Sequence, residues 1–210
     1  EQLEALRGRR APLPCDISAL PEIVPAAHEA RAPELRLRFR TAAQMSGGAL
    51  AAAARVLLPV EEIAAHREVV AALGGRLTGE LPLLVFPGTE EKLRETLASL
   101  KEAGLTDAIA GNLGTLRMAR ELGFAVRGDY SLNILNSRAL YEAGTLGAAD
   151  VTLSFETGLK QAERLAGEAP LGILMHSISS SRLTPSIASM TFSSSLTGGL
   201  STRSSTLAVH

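Results

Sequence analysis

The chain has 210 residues, enough for one domain with a real core, or for one domain and a tail. A formal net charge of −1 gives no general pull toward nucleic acid or an acidic membrane surface. Trp is absent and only 2 Tyr and 5 Phe occur, so Ala and Leu carry the apolar content, which favours helix-rich α/β packing over an aromatic surface for stacking bases.

A single cysteine, Cys15, excludes an internal disulfide framework and fits a reducing compartment. No signal peptide and no run of about 18 apolar residues is found, so no membrane span and a cytoplasmic location are expected. The chain starts at Glu1 rather than Met, as a processed or truncated protein would.

Three segments are expected: 1–33, 34–176 and 177–210. Glu1 to Arg10 reads as the end of a charged helix, and residues 11–33, with five of the ten prolines, as a linker. Leu35-Arg36-Leu37-Arg38-Phe39-Arg40 alternates strictly, predicting a strand with one apolar face. Arg55–Pro59 is a short apolar run suited to a buried parallel strand. Glu61–Leu73 predicts one amphipathic helix, with Ile63, His66, Val69, Val70 and Leu73 on its apolar face and Gly74-Gly75 ending it.

Leu83–Phe86 is the next expected strand. Thr89, as a capping hydroxyl before Glu90 and Glu91, opens a helix that runs to Gly104. Asp107–Gly111 predicts a strand, Leu113–Leu122 a helix closed by Gly123, and Phe124–Asp129 a strand. Ile134–Ala143 predicts a helix closed by Gly144. Val151–Ser154, Thr157–Leu165 and Leu171–Met175 then give strand, helix and strand.

About seven strands alternate with helices, which implies right-handed crossovers and a parallel sheet. No Gly-rich fingerprint follows the first strand, so a dinucleotide-binding sheet is disfavoured. The expected fold class is α/β: a parallel β/α (TIM-like) barrel, incomplete at about seven strands, since a full barrel takes roughly 250 residues. Residues 177–210 are about half Ser and Thr and contain no acid, so a disordered tail is expected there rather than an eighth unit. An unclosed barrel would leave an edge open to association.

Barrel sites lie on the loops after the strand C-termini. Asn112, Asp129, Asn133, Asn136, Ser154 and Glu156 fall on three successive loops of that kind and form the candidate substrate-binding set. Each also has a structural reading. Asn112, Asn133 and Asn136 suit helix caps or loops, Asp129 suits backbone bonding at a strand end, and Ser154 to Thr157 suits a helix N-terminus. His66 is expected as a packed residue on an apolar helix face. No G-x-S-x-G, H-E-x-x-H or C-x-x-C pattern occurs, so no catalytic set and no metal site is assigned.

Three elements carry a resemblance: Gly111-Asn112-Leu113-Gly114, then Gly128-Asp129-Tyr130-Ser131-Leu132-Asn133-Ile134-Leu135-Asn136-Ser137, then Val151-Thr152-Leu153-Ser154-Phe155-Glu156. In this order they resemble the "GNLG", "hxDxSLNxxNS" and "TLSxE" elements of the collagenase-like U32 peptidases, over roughly Leu35 to Met175. The likeness implies the second half of a longer, truncated member and peptide hydrolysis.

Several relatives in that family are instead iron–sulfur proteins of oxygen-independent hydroxylation of RNA bases or quinone precursors, so a truncated protein of that kind is an alternative, with RNA as substrate. A non-catalytic barrel fragment is a third. Those relatives hold a 4Fe-4S cluster through cysteines, the first shortly after the strand that here reads Leu171–Met175. This chain continues His176-Ser177-Ile178-Ser179-Ser180-Ser181 without one, so no cofactor is expected.

Overall fold

A computed structural model describes residues 34–45, 47–166, 171–175 and 189–194. Seven parallel strands form one curled sheet in chain order: β1 Glu34–Arg38, β2 Arg55–Pro59, β3 Leu77–Glu80, β4 Asp107–Ala110, β5 Ala125–Gly128, β6 Ala148–Thr152 and β7 Leu171–Met175. Helices α1 Gly47–Ala52, α2 Val60–Ala65, α3 Glu68–Leu73, α4 Glu90–Glu102, α5 Leu113–Glu121, α6 Ser137–Thr145 and α7 Leu159–Ala166 fall between the strands. The α/β barrel-like class expected from the alternation is the one observed.

Two apolar clusters lie between sheet and helices. The larger joins Leu37, Phe39, Val56, Leu58 and Leu77 to Ile63, Leu97, Leu100 and Leu116. The smaller joins Val151, Leu153 and Leu171 to Leu140, Ala143, Ala162 and Leu165. The apolar face of β1 is therefore its outer, helix-covered face. Because successive side chains alternate across a strand, Arg36 and Arg38 point into the barrel. Both are buried, at 3% and 8% exposure.

The third strand is not Leu83–Phe86. It is Leu77–Glu80, in register with both neighbours: Leu57 pairs with Thr78, and Thr78 with Asp107. Leu77-Thr78-Gly79-Glu80 looks weak as a strand because half of it faces a polar interior and Gly79 is the outward contact. A Cβ at Gly79 would come within 3.0 Å of Leu105 and Val60, so the glycine lets helix and sheet approach. The apolar run Leu83–Phe86 is instead a loop beyond the strand's C-terminal end, with Leu83, Leu84 and Phe86 exposed.

The helix expected over Glu61–Leu73 is two helices. It breaks at His66, whose φ of −128° and ψ of 62° leave the helical region, and α3 restarts at Glu68. His66 is exposed rather than packed, with Nδ1 3.5 Å from a Glu68 carboxylate oxygen. The expected ends shift elsewhere. Helix α6 starts at Ser137, α7 at Leu159, and α6 runs through Gly144 to its C-terminal turn, where Gly147 has a φ of 89°. Thr89 does not cap α4 through its side chain; its hydroxyl donates to the Phe86 carbonyl at 2.8 Å.

Within the segment expected to be a disordered tail, Ser189–Ser194 forms a strand, β8, antiparallel to both β7 and β1. Ser-Met-Thr-Phe-Ser-Ser alternates with period two, a pattern masked by the surrounding serines. It occupies the edges left open by seven strands, and it runs opposite to them, unlike the last strand of a β/α unit. The rest of 177–210, and the linker reading of 1–33, lie outside the described residues. Among the described residues, no helix is long and apolar enough to cross a membrane.

Candidate functional site

The barrel interior is charged. Arg36 of β1 reaches Asp150 of β6 through two bonds, Nη1 to Oδ1 at 3.0 Å and Nη2 to Oδ2 at 2.7 Å. Arg127 of β5 donates to Asp150 and, at 3.0 Å, to Asp107 of β4. Arg55 of β2 also donates to Asp107, at 3.0 Å. Arg36–Asp150 and Arg55–Asp107 join strands that are not neighbours, whereas Arg127 bonds to the two strands beside its own. Arg55 holds its proton less tightly than usual, first through burial and then through the nearby Arg127 cation, against the pull of Asp107.

Nearer the C-terminal end, Arg38 donates to Asp129 at 2.6 Å. Its Nε lies 3.4 Å from a Glu80 carboxylate oxygen, within ion-pair reach but without the alignment of a hydrogen bond. Burial opposes the Arg38 charge, yet Asp129 and Glu80 outweigh it and its proton is held more tightly than usual. Burial pushes the Glu80 carboxyl up, Arg38 draws it partly back, and Asp129 and Glu61 push it up again. Glu80 stays 28% exposed at its side chain and thus open to a ligand. The Arg38 guanidinium also lies over the Tyr130 ring, 5.5 Å from its centre.

Of the six residues proposed from the sequence, Asp129 joins this ion cluster. The others mostly shape loops. Asn112 caps α5, accepting from Thr115 N at 2.8 Å, while its Nδ2 donates to the Leu83 carbonyl at 2.7 Å. Asn136 caps α6, accepting from Ala139 N at 2.9 Å. Asn133 is exposed and takes the left-handed conformation, with a φ of 55°, that Asn tolerates best after Gly. Ser154 is buried and accepts from Glu156 N at 3.3 Å, forming a turn rather than the start of α7. Glu156 is exposed.

The loops nonetheless form one continuous rim. Besides the Asn112–Leu83 bond, a Cβ on Gly111 would come within 3.0 Å of both Leu83 and Ser131, so the loops after β3, β4 and β5 touch there. Tyr130 and Phe155 then join the loops after β5 and β6, with ring centres 6.0 Å apart at 54°. Leu83, Leu84, Phe86, Leu113 and Phe155 are the exposed apolar side chains of this rim.

The interior arginines, Glu80, Asp107 and Asp150 were missed by sequence reading. The available signal was charge at alternate positions in a strand that a barrel must bury on both faces. Among the described residues, no group of three or more His, Cys, Asp or Glu is placed to hold a metal ion. The one cysteine of this sequence cannot supply the four thiolates of a 4Fe-4S cluster. No family model matches the sequence, and no curated protein shows significant similarity to it.

Proposed function

We propose that the chain is a U32-like peptidase barrel that holds a peptide at its C-terminal mouth, with Glu80 as the acid–base group. The observation that carries this reading is the half-open Glu80 carboxyl, raised by burial and facing an arginine that Asp129 already fixes. Ionised Glu80 takes a proton from the water that attacks the scissile carbonyl carbon. The Arg38 cation, beside Glu80, stabilises the negative charge that develops on the oxygen. The C–N bond then breaks, and Glu80 returns its proton to the leaving amine. The apolar rim from Leu83 to Phe155 gives an extended peptide a surface outside the charged floor. The resemblance of the three loop elements to the U32 family supports the same reading.

The test is cleavage of gelatin and of quenched peptide libraries by the full chain and by Glu80→Gln. Cleavage by the wild type, with kcat lowered roughly 100-fold or more in the variant and KM little changed, supports the reading. Equal cleavage by both removes Glu80 from the chemistry. Peptide binding without cleavage by the wild type establishes a non-catalytic barrel instead.

A further inference from the structure

Two arginines of β1 are held in different ways. Arg36 meets Asp150 through both terminal nitrogens, at 3.0 and 2.7 Å, and two such bonds fix the plane of a guanidinium. Arg38 bonds to Asp129 through Nη2 alone, at 2.6 Å. A single bond sets a distance but lets the planar group swing about it. Yet Arg38 Nε stands 3.4 Å from a Glu80 carboxylate oxygen with no hydrogen bond to hold it there.

Tyr130, the residue after Asp129, supplies a second contact. Its ring centre lies 5.5 Å from the guanidinium carbon of Arg38. At that range the negative face of an aromatic ring attracts a cation, more strongly where water is scarce. The Arg38 side chain is only 10% exposed. The chain around Tyr130 is itself pinned. Tyr130–Leu132 is one short helical turn, with Leu132 N bonded to the Asp129 carbonyl and Asn133 N to the Tyr130 carbonyl, both at 3.0 Å. Phe155, from the loop after β6, packs against the same ring. Consecutive residues thus grip one cation in two ways, Asp129 by a hydrogen bond and Tyr130 by its ring.

We propose that Tyr130 is a positioning residue, whose ring keeps the Arg38 guanidinium turned toward Glu80 and so sets the charge that Glu80 faces. Its consequence for catalysis rests on the reading of Glu80 as the acid–base group, but its test does not. The charged groups facing Glu80 are Arg38 from β1, Asp129 from the loop after β5 and Glu61 from α2. Of these only Arg38 draws the carboxyl down, whereas Asp129, Glu61 and burial all push it up. Without the ring the cation swings away, and the opposing influences stay. A ring that only fills space would be replaced equally well by any apolar side chain of similar bulk.

The test follows the Glu80 carboxyl by carbon NMR across pH in the full chain, with its signal assigned by loss in Glu80→Gln. Tyr130→Phe keeps the ring and should titrate as the wild type does. Tyr130→Leu keeps apolar bulk without a ring, and its Glu80 should titrate at higher pH. A Leu variant that titrates like the wild type, or a Phe variant displaced as far as the Leu variant, overturns the proposal. Should the Leu variant not fold, nuclear Overhauser contacts between the Arg38 guanidinium and Tyr130 ring protons in the wild type carry the test, and their absence overturns it. Where the wild type cleaves peptide, Tyr130→Leu should lower kcat about tenfold with KM little changed, and Tyr130→Phe should restore it. A wild type that cleaves nothing defeats the peptidase reading, while the titration still decides the role of Tyr130.

Discussion

The Arg36 guanidinium and the Asp150 carboxylate meet across the barrel through two parallel bonds of 3.0 and 2.7 Å, although β1 and β6 are not paired in the sheet. The interior is thus held by charge between opposite walls, and only the outside of the sheet by apolar packing. A bidentate pair fixes orientation as well as distance. Removing one partner leaves a buried charge alone, which costs far more than the pair itself contributes.

Asp150→Ala is therefore expected to destabilise the chain by about 3–5 kcal/mol, because Arg36 loses its carboxylate and Arg127 keeps only Asp107. Adding Arg36→Met to Asp150→Ala should recover part of that loss by removing the stranded cation. Urea unfolding of the two single variants and the double variant gives the cycle. A double variant less stable than both singles would mean that packing around Arg36, and not its charge, sets the cost.

Glu80 predicts a pH dependence. Its folded-state carboxyl titrates above the ordinary 4.5, chiefly through burial. The folded chain therefore binds this proton more tightly than the unfolded chain. The resulting stability is fully present below the unfolded value and is lost as pH rises through the folded value. Glu80→Gln keeps a neutral side chain at every pH, so the stability difference, variant minus wild type, should grow as pH rises from 4.5 toward neutrality. Urea midpoints across that range read it directly. A flat difference would mean that Arg38 cancels the burial cost.

The alternation of strands and helices was legible because most outward positions of the strands are apolar and meet helices whose apolar faces recur at helical spacing. Leu37, Phe39, Val56, Leu58 and Ala108 are of this kind. The third strand was not legible, because the same logic favours Leu83–Phe86 over a strand whose inward residues are Thr78 and Glu80. Of the candidate residues read from the loops after the strands, Asp129 is the one that pairs with an interior arginine, Arg38. Asn112 and Asn136 were conspicuous for a simpler reason, since each caps the helix that follows. Arg38 and Glu80 carry no motif; their meaning depends on which face of a strand is the interior, and the period-two pattern alone leaves that open.

Asn112 separates capping from loop tethering. Asn112→Ala should cost about 1 kcal/mol through the lost cap on Thr115 N. Asn112→Asp keeps an acceptor for that amide and places a negative charge at the N-terminus of α5, but it cannot donate to the Leu83 carbonyl. The Asp variant should therefore retain most of the wild-type stability while amide exchange in the Leu83–Phe86 loop quickens. Unchanged exchange in that loop would show that the Gly111 contact, and not Asn112, holds it to the rim.

The position of the third strand gives the sharpest stability contrast. Leu77 is fully buried between sheet and helices, whereas Leu84, seven residues later in an equally apolar context, is 69% exposed. Truncating Leu77 to Ala removes buried methyl groups and leaves a cavity against α2 and its neighbours, at a cost of about 2–5 kcal/mol. Truncating Leu84 to Ala removes surface that water already reaches, and the change should stay within about 0.5 kcal/mol. Gly79→Ala adds a third reading: its Cβ would press on Leu105 and Val60 at 3.0 Å, so about 1–3 kcal/mol is expected from overpacking alone. Urea unfolding of the three variants settles the register, because a strand at Leu83–Phe86 requires the opposite order, with Leu84→Ala costly and Leu77→Ala and Gly79→Ala mild.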